Sequence, residues 1–192
     1  MNAPVTLAAE GLPRRAFSVA DVERMVEVGL LDPDERIELI GGELVPMSPK
    51  GSRHEALKVL MNKYIVPRLG DDYFLAPETT FRMSDDTYLE PDFVFYPASV
   101  GPVGLKTDNF RLVIEIADSS LGYDLGRKAG LYAAFGIPEL WVINAKTWVT
   151  TRHRNPAKDG YGEIVRIPKS GMLDAAFVPG VTLSLAQLEK RK

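Results

Sequence analysis

RLVIEIADSS, residues 111–120, is the stretch on which the fold turns. Leu112, Ile114 and Ile116 point to one side of a strand, and Val113, Glu115 and Ala117 to the other. Both sets are almost wholly apolar, the pattern of a central strand covered on both faces. Glu115 is the exception. An ionised carboxylate buried without a partner is strongly unfavourable, so this strand demands a compensating group.

Working outward, a helix is predicted over about 123–135, with Gly136 as its C′ residue. Its inward stripe reads Leu125, Lys128 or Ala129, Tyr132 and Phe135. ELWVIN (139–144) follows as a second buried strand, and TWVTTRHR (147–154) alternates as its pairing neighbour. An Asn-Pro and Asp-Gly loop leads to GEIVRI (162–167), and the tail reads as an edge segment and a short last helix. Upstream, YLEPDFVFYP (88–97) is a strand with Pro91 at its start; Asp92, Val94 and Tyr96 face one way, Phe93 and Phe95 the other. Residues 73–81 form a further strand kinked at Pro77. A helix from Ser52 to about Val66 carries the stripe Leu57, Leu60, Met61, Tyr64 and Ile65, with His54 one turn earlier on the same side.

RIELIGGELVPM (36–47) is a hairpin signal, since Gly41-Gly42 suits a two-residue turn with φ > 0. Regular pairing places opposite each other residues whose numbers sum to 83. Ile37, Leu39, Leu44 and Pro46 then form the core face, and Glu38 sits on the mixed face with Ile40 and Val45. Ser18 caps a helix to about Val28, with Asp21 three residues on. Residues 1–17 read as a flexible arm and 18–192 as a single domain. The fold class is α/β. A central mixed sheet carries the strands around 73–81, 91–96, 111–117 and 140–144; helices 53–66 and 123–135 cover it, and the hairpin extends it at one side.

Composition narrows the chemistry. The chain has 192 residues, 45% hydrophobic and 26% charged, an ordinary globular balance. Cysteine is absent, which removes disulfides, thiolate nucleophiles, iron–sulfur clusters and cysteine-bound zinc. The two histidines, His54 and His153, are too few for a three-histidine zinc site. No apolar run reaches a membrane-spanning length, and MNAPVTLAAEGLPRR lacks the pattern of a signal peptide, so a cytoplasmic location is the expectation. The formal charge is −3, less basic than usual for a chain that holds DNA by counterion release. It is uneven, however. Residues 50–68 carry five basic and one acidic group, and 71–92 seven acidic and one basic. Local basic patches beside an acidic pocket fit that distribution, as does a solvated surface without a partner.

If the strands of Asp92 and Glu115 are neighbours, their carboxylates converge and repel unless a cation lies between them. Hard oxygen donors without sulfur suggest Mg²⁺ or Mn²⁺, a site that activates water for hydrolysis of a phosphate ester. Lys128, in the inward stripe of the next helix, supplies a positive group toward the carboxylates or a phosphate.

The order EPDFVFYP, LVIEIADSS and DLGRKAGLYAAFGIPELWVIN (124–144), with RIELIGGELVPMSP (36–49) and His54 upstream, closely resembles the Uma2 family. That family looks like a branch of the PD-(D/E)XK nuclease superfamily. The likeness covers about residues 18–188. It implies a restriction-endonuclease-like core and a metal-dependent endonuclease acting on DNA. Pro91-Asp92 resembles the PD element and Glu115 the acidic element. The superfamily's usual lysine would fall at 117, where this chain has Ala; Lys128 matches a lysine moved to the following helix. Glu38 and His54 match polar positions of the family as further metal or water ligands, and the Ile116 carbonyl would be a metal ligand with Asp92 and Glu115. Arg53, Lys58, Arg127, Arg152 and Arg154 are weaker candidates for touching a nucleic-acid backbone. The resemblance and the prevalence of symmetric dimers imply a homodimer.

Plainer readings stand beside these. Asp92 caps the turn before its strand. Glu115 and Lys128 form a structural ion pair, or Lys128 pairs with Asp124 one turn earlier. His54 is a hydrogen-bonded, half-buried residue, Glu38 a solvated hairpin residue, Glu43 and Glu78 structural or peripheral, and Tyr132 packing. Correspondingly, a non-catalytic binding protein with a nuclease-like core, or a hydrolase of a small phosphate ester, are the alternatives to the endonuclease.

Overall fold

A computed structural model describes residues 5–7, 11, 13–103 and 105–189. In chain order come β1 (Val5–Leu7), β2 (Pro13–Arg15), α1 (Val19–Glu27), β3 (Ile37–Ile40), β4 (Glu43–Pro46), α2 (Ser52–Ile65), β5 (Tyr73–Pro77), β6 (Phe81–Ser84) and β7 (Thr87–Leu89). There follow β8 (Phe93–Pro97), β9 (Leu112–Ala117), α3 (Leu121–Tyr123), a π-helical turn (Asp124–Lys128) and α4 (Ala129–Ala134). The chain closes with β10 (Glu139–Asn144), β11 (Thr150–Ala157), β12 (Gly160–Ile167), β13 (Leu173–Asp174), β14 (Thr182–Leu183) and α5 (Leu185–Glu189). Contacts divide the chain into two compact units, Met1–Ser48 with Thr80–Glu90, and Pro49–Thr79 with Pro91–Lys192.

In the first unit, α1 begins at a full capping box. The Asp21 N–H donates to Ser18 Oγ at 3.1 Å and the Ser18 N–H to Asp21 Oδ2 at 2.8 Å, satisfying two otherwise orphaned donors. Ser18→Ala is expected to cost about 1 kcal/mol, read as a lower denaturation midpoint. β3 and β4 pair in the register read from the sequence, Ile37↔Pro46 to Ile40↔Glu43. Gly41 and Gly42 take φ of 56° and 82° at the turn. Gly42 is doubly required, because a Cβ there would collide with Ala16. Leu39 packs with Val19 and Val22 of α1.

The hairpin does not extend the central sheet, as the sequence suggested. It belongs to a separate four-stranded sheet of order β4-β3-β7-β6. Residues 73–81 and 88–97, each read as one strand, are both cut in two. The first breaks after Pro77, where Glu78 adopts φ of 46°, a left-handed conformation that ends an extended run. The second breaks at Glu90–Asp92, so Pro91 precedes β8 rather than opening it. Period-two patterning registers which side a residue faces but not a change of sheet between two extended segments. The arm expected over 1–17 contains the antiparallel pair β1–β2; its residues 1–4, 8–10 and 12 lie outside the described residues.

The second unit holds a six-stranded sheet of order β12-β11-β10-β9-β8-β5. It is mixed: β9 and β10 run parallel, joined through the α3–α4 helical segment, and the other neighbours are antiparallel. Every residue of β9 is buried. Leu112, Ile114 and Ile116 join a core with Leu57, Met61 and Ile65 of α2 and Leu185 and Leu188 of α5. Val113 and Glu115 point to the alternate face, where Tyr132 meets Glu115. The Asn155–Gly160 segment is less of a loop than its residues suggest. Pro156 and Ala157 stay in β11, paired with Tyr161 and Gly160. Among the described residues, no helix is long and apolar enough to cross a membrane.

Candidate active site

The β8–β9 ladder ends at the pair Phe93↔Ile114, while β9 continues beside β10 to Ala117. Pro91, with no N–H, cannot donate to a longer ladder. Asp92 takes over with its side chain. Its Oδ2 accepts the Ile116 N–H at 2.7 Å and its Oδ1 lies 2.8 Å from His54 Nε2. Both residues are buried, 5% exposed each. Burial works to lower the His54 pKa, but the Asp92 hydrogen bond and charge, helped by Glu55, outweigh it and hold the pKa above its ordinary value.

Glu115, 4% exposed, is compensated from the following helical segment. Lys128 Nζ lies 3.0 Å from Glu115 Oε1, and the Tyr132 hydroxyl donates to the same oxygen at 2.5 Å. In an α-helix, residues four apart drift round the axis by about 40°. The wider π turn over 124–128 changes that drift, and Asp124, Lys128 and Tyr132 are all buried. The stripe therefore includes Asp124, which accepts from Ser120 Oγ at 2.5 Å, rather than the half-buried Leu125 of the sequence reading.

The expected residues thus fall into two pairs, Asp92 with His54 and Glu115 with Lys128. The Ile116 backbone links them, since its N–H holds Asp92 and Glu115 precedes it. Glu38 belongs to the first unit. It is 2% exposed, not solvated, and accepts the Glu90 N–H at 3.1 Å. Of the weaker cationic candidates, Arg53 and Arg127 are exposed. Arg152 pairs with Glu163 at 2.9 Å and Arg154 with the fully buried Glu139 at 2.8 Å.

Sequence reasoning missed two features. Tyr132 sits four residues beyond Lys128, a spacing that could have marked it as a second donor to the same carboxylate. Glu78, read as structural or peripheral with no partner named, ties together Lys50 and Lys58, the latter at 2.6 Å. Partial burial opposes its ionisation, but the two ammonium groups prevail and bring its pKa down from 4.5 to about 2. A lowered carboxylate pKa stabilises the fold above the unfolded value, and that stability is lost as pH falls through the folded one. The stability gap between wild type and Glu78→Gln is therefore expected to narrow between pH 4.5 and about 2, as measured by denaturant melts across that window.

Residues 19–186 match the family model described as "Uma2: Putative restriction endonuclease". The chain belongs to the Uma2 family. Its fold is similar to that of a crystal structure from Anabaena variabilis described as "a putative nuclease belonging to DUF820". The TM-score is 0.65 at 15% sequence identity, over 85% of this chain and 95% of that one. No curated protein matches. Uma2 membership and this nuclease-like α/β fold are consistent with the PD-(D/E)XK superfamily.

That superfamily is metal-dependent. Among the described residues of this Uma2 chain, no group of three or more His, Asp and Glu side chains is placed to hold a metal ion. Mg²⁺ does not require one, because it is commonly bound through one or two carboxylates, with water and substrate phosphate completing the octahedron. Each carboxylate also has about four lone-pair sites, and Asp92 uses two in the bonds described. Asp92, Glu115 and the Ile116 carbonyl offer hard oxygen donors, the donor class that Mg²⁺ and Mn²⁺ take.

Proposed function

We propose that this Uma2 chain is a metal-dependent endonuclease that hydrolyses phosphodiester bonds of DNA, working as a homodimer in the cytoplasm. The observation that carries the reading is the use of β9. Glu115 stands on it inside an apolar sheet, and the next backbone N–H fastens Asp92. Asp92, Glu115 and the Ile116 carbonyl would hold Mg²⁺ or Mn²⁺, which supplies Lewis acidity and an acidified water when bound.

The chain's own groups do the positioning. Tyr132 fixes Glu115 by donating to Oε1. Lys128, on the same oxygen, offers an ammonium to charge developing on phosphate oxygens and helps orient the attacking water. His54 holds Asp92 through Oδ1, so the Asp92 carboxylate is clamped from α2 and from β9 at once.

A second reading, a binding protein that keeps the nuclease fold without catalysis, is favoured by one observation. Ala117 stands where the superfamily has its lysine, Glu115 already has a cationic partner in Lys128, and Asp92 is already held by His54 and the Ile116 N–H. Supercoiled plasmid with Mg²⁺, Mn²⁺ or EDTA separates the two. The endonuclease gives nicked product in either metal and none in EDTA; intact plasmid under all three conditions selects the binding protein.

A further inference from the structure

Beside the carboxylates lies a second charged cluster in the same unit. Lys50 precedes Gly51, the N-cap of α2, and Lys58 lies on α2 one turn beyond His54. Both ammonium groups converge on a single atom, Glu78 Oε1, and Lys58 also reaches Glu55 Oε2 at 2.7 Å. The lysine side chains are only 19% and 15% exposed, unusual for a residue type that normally stays in solvent, whereas Glu78 is 33% exposed. The cluster therefore opens to water on the side of its acid. Glu78 holds its place in a left-handed backbone conformation that a non-glycine residue adopts only under strain. Its N–H donates to the Asp92 carbonyl at 3.2 Å, so the cluster adjoins the candidate site through the backbone.

An anionic oxygen between two ammonium groups is the arrangement a non-bridging phosphate oxygen takes. A phosphodiester carries one negative charge, as a carboxylate does. Exchanging one for the other leaves the cluster's charge balance unchanged. We propose that Lys50 and Lys58 are a binding subsite for a backbone phosphate of a nucleic-acid substrate, and that Glu78 is an internal competitor filling it when no substrate is bound. This rests on the nuclease reading and adds to it a residue that weakens substrate binding.

The test is binding without cleavage: fluorescence anisotropy of a labelled DNA duplex in EDTA across about 50–200 mM salt. Lys50→Gln and Lys58→Gln should each weaken binding and flatten the slope of log K against log salt by about one. Lys58→Arg keeps the charge and should keep the slope, which a merely structural lysine would not predict. Glu78→Gln, having lost its charge, should bind several-fold tighter. Unchanged slopes in both glutamine variants, or weaker binding by Glu78→Gln, overturn the subsite and leave the nuclease reading standing. Absence of duplex binding by every protein, wild type included, overturns both.

Discussion

Glu115→Gln is expected to lower metal-dependent nicking of supercoiled DNA by roughly 10²–10³-fold, the usual effect of removing one preorganised electrostatic group. The change is nearly isosteric. Gln keeps an oxygen to accept the Tyr132 hydroxyl, so the side chain retains its place while its charge is lost. Asp92→Asn should act similarly, since it leaves an acceptor for the Ile116 N–H but removes the anion beside His54. Glu35→Gln, at an exposed position of the first unit, should leave the rate unchanged. Rates are compared below the melting temperature of each variant. Wild-type levels of nicked product from Glu115→Gln would end the assignment of this site.

The largest stability effect is expected at Lys128. Lys128 and Glu115 are each 4% exposed, and a charge left alone at such depth cannot recover its hydration. Lys128→Met should cost about 3–5 kcal/mol, a large share of the roughly 5–15 kcal/mol that holds an ordinary domain together. Restoring neutrality with Lys128→Met and Glu115→Leu together should recover much of the loss, because apolar replacement of a whole buried pair is often neutral or better. Trp141 and Trp148 both lie in the second unit, so tryptophan fluorescence in denaturant reads its unfolding directly. A cost under about 1 kcal/mol for the single change would show that Lys128 is not the group that compensates Glu115.

Much of the local structure was legible. The hairpin register followed from period-two alternation around two glycines, and the α1 capping box from Ser18 and Asp21. β9 announced itself as a buried strand, and α2 by its apolar stripe. Glu115 stood out for a physical reason: a carboxylate in an apolar strand requires compensation, and Lys128 was the cation on the adjoining helix face. Tyr132 did not stand out, because a tyrosine in an apolar stripe serves packing as readily as it donates a hydrogen bond.

What the sequence determined by itself, then, was everything governed by neighbours along the chain: turn residues, caps, the period of each element, and the presence of a buried charge. Only the tertiary structure decided which sheet the hairpin joins, where two extended runs break, that Asp92 spans from β9 to His54, and that Glu78 gathers two lysines. Those outcomes depend on contacts between residues far apart in sequence, such as Asp92 with Ile116 and Lys50 with Glu78. Backbone propensity is set within a few residues, whereas the partner of a strand edge or a charged group is chosen by whichever distant segment satisfies it at least cost in desolvation.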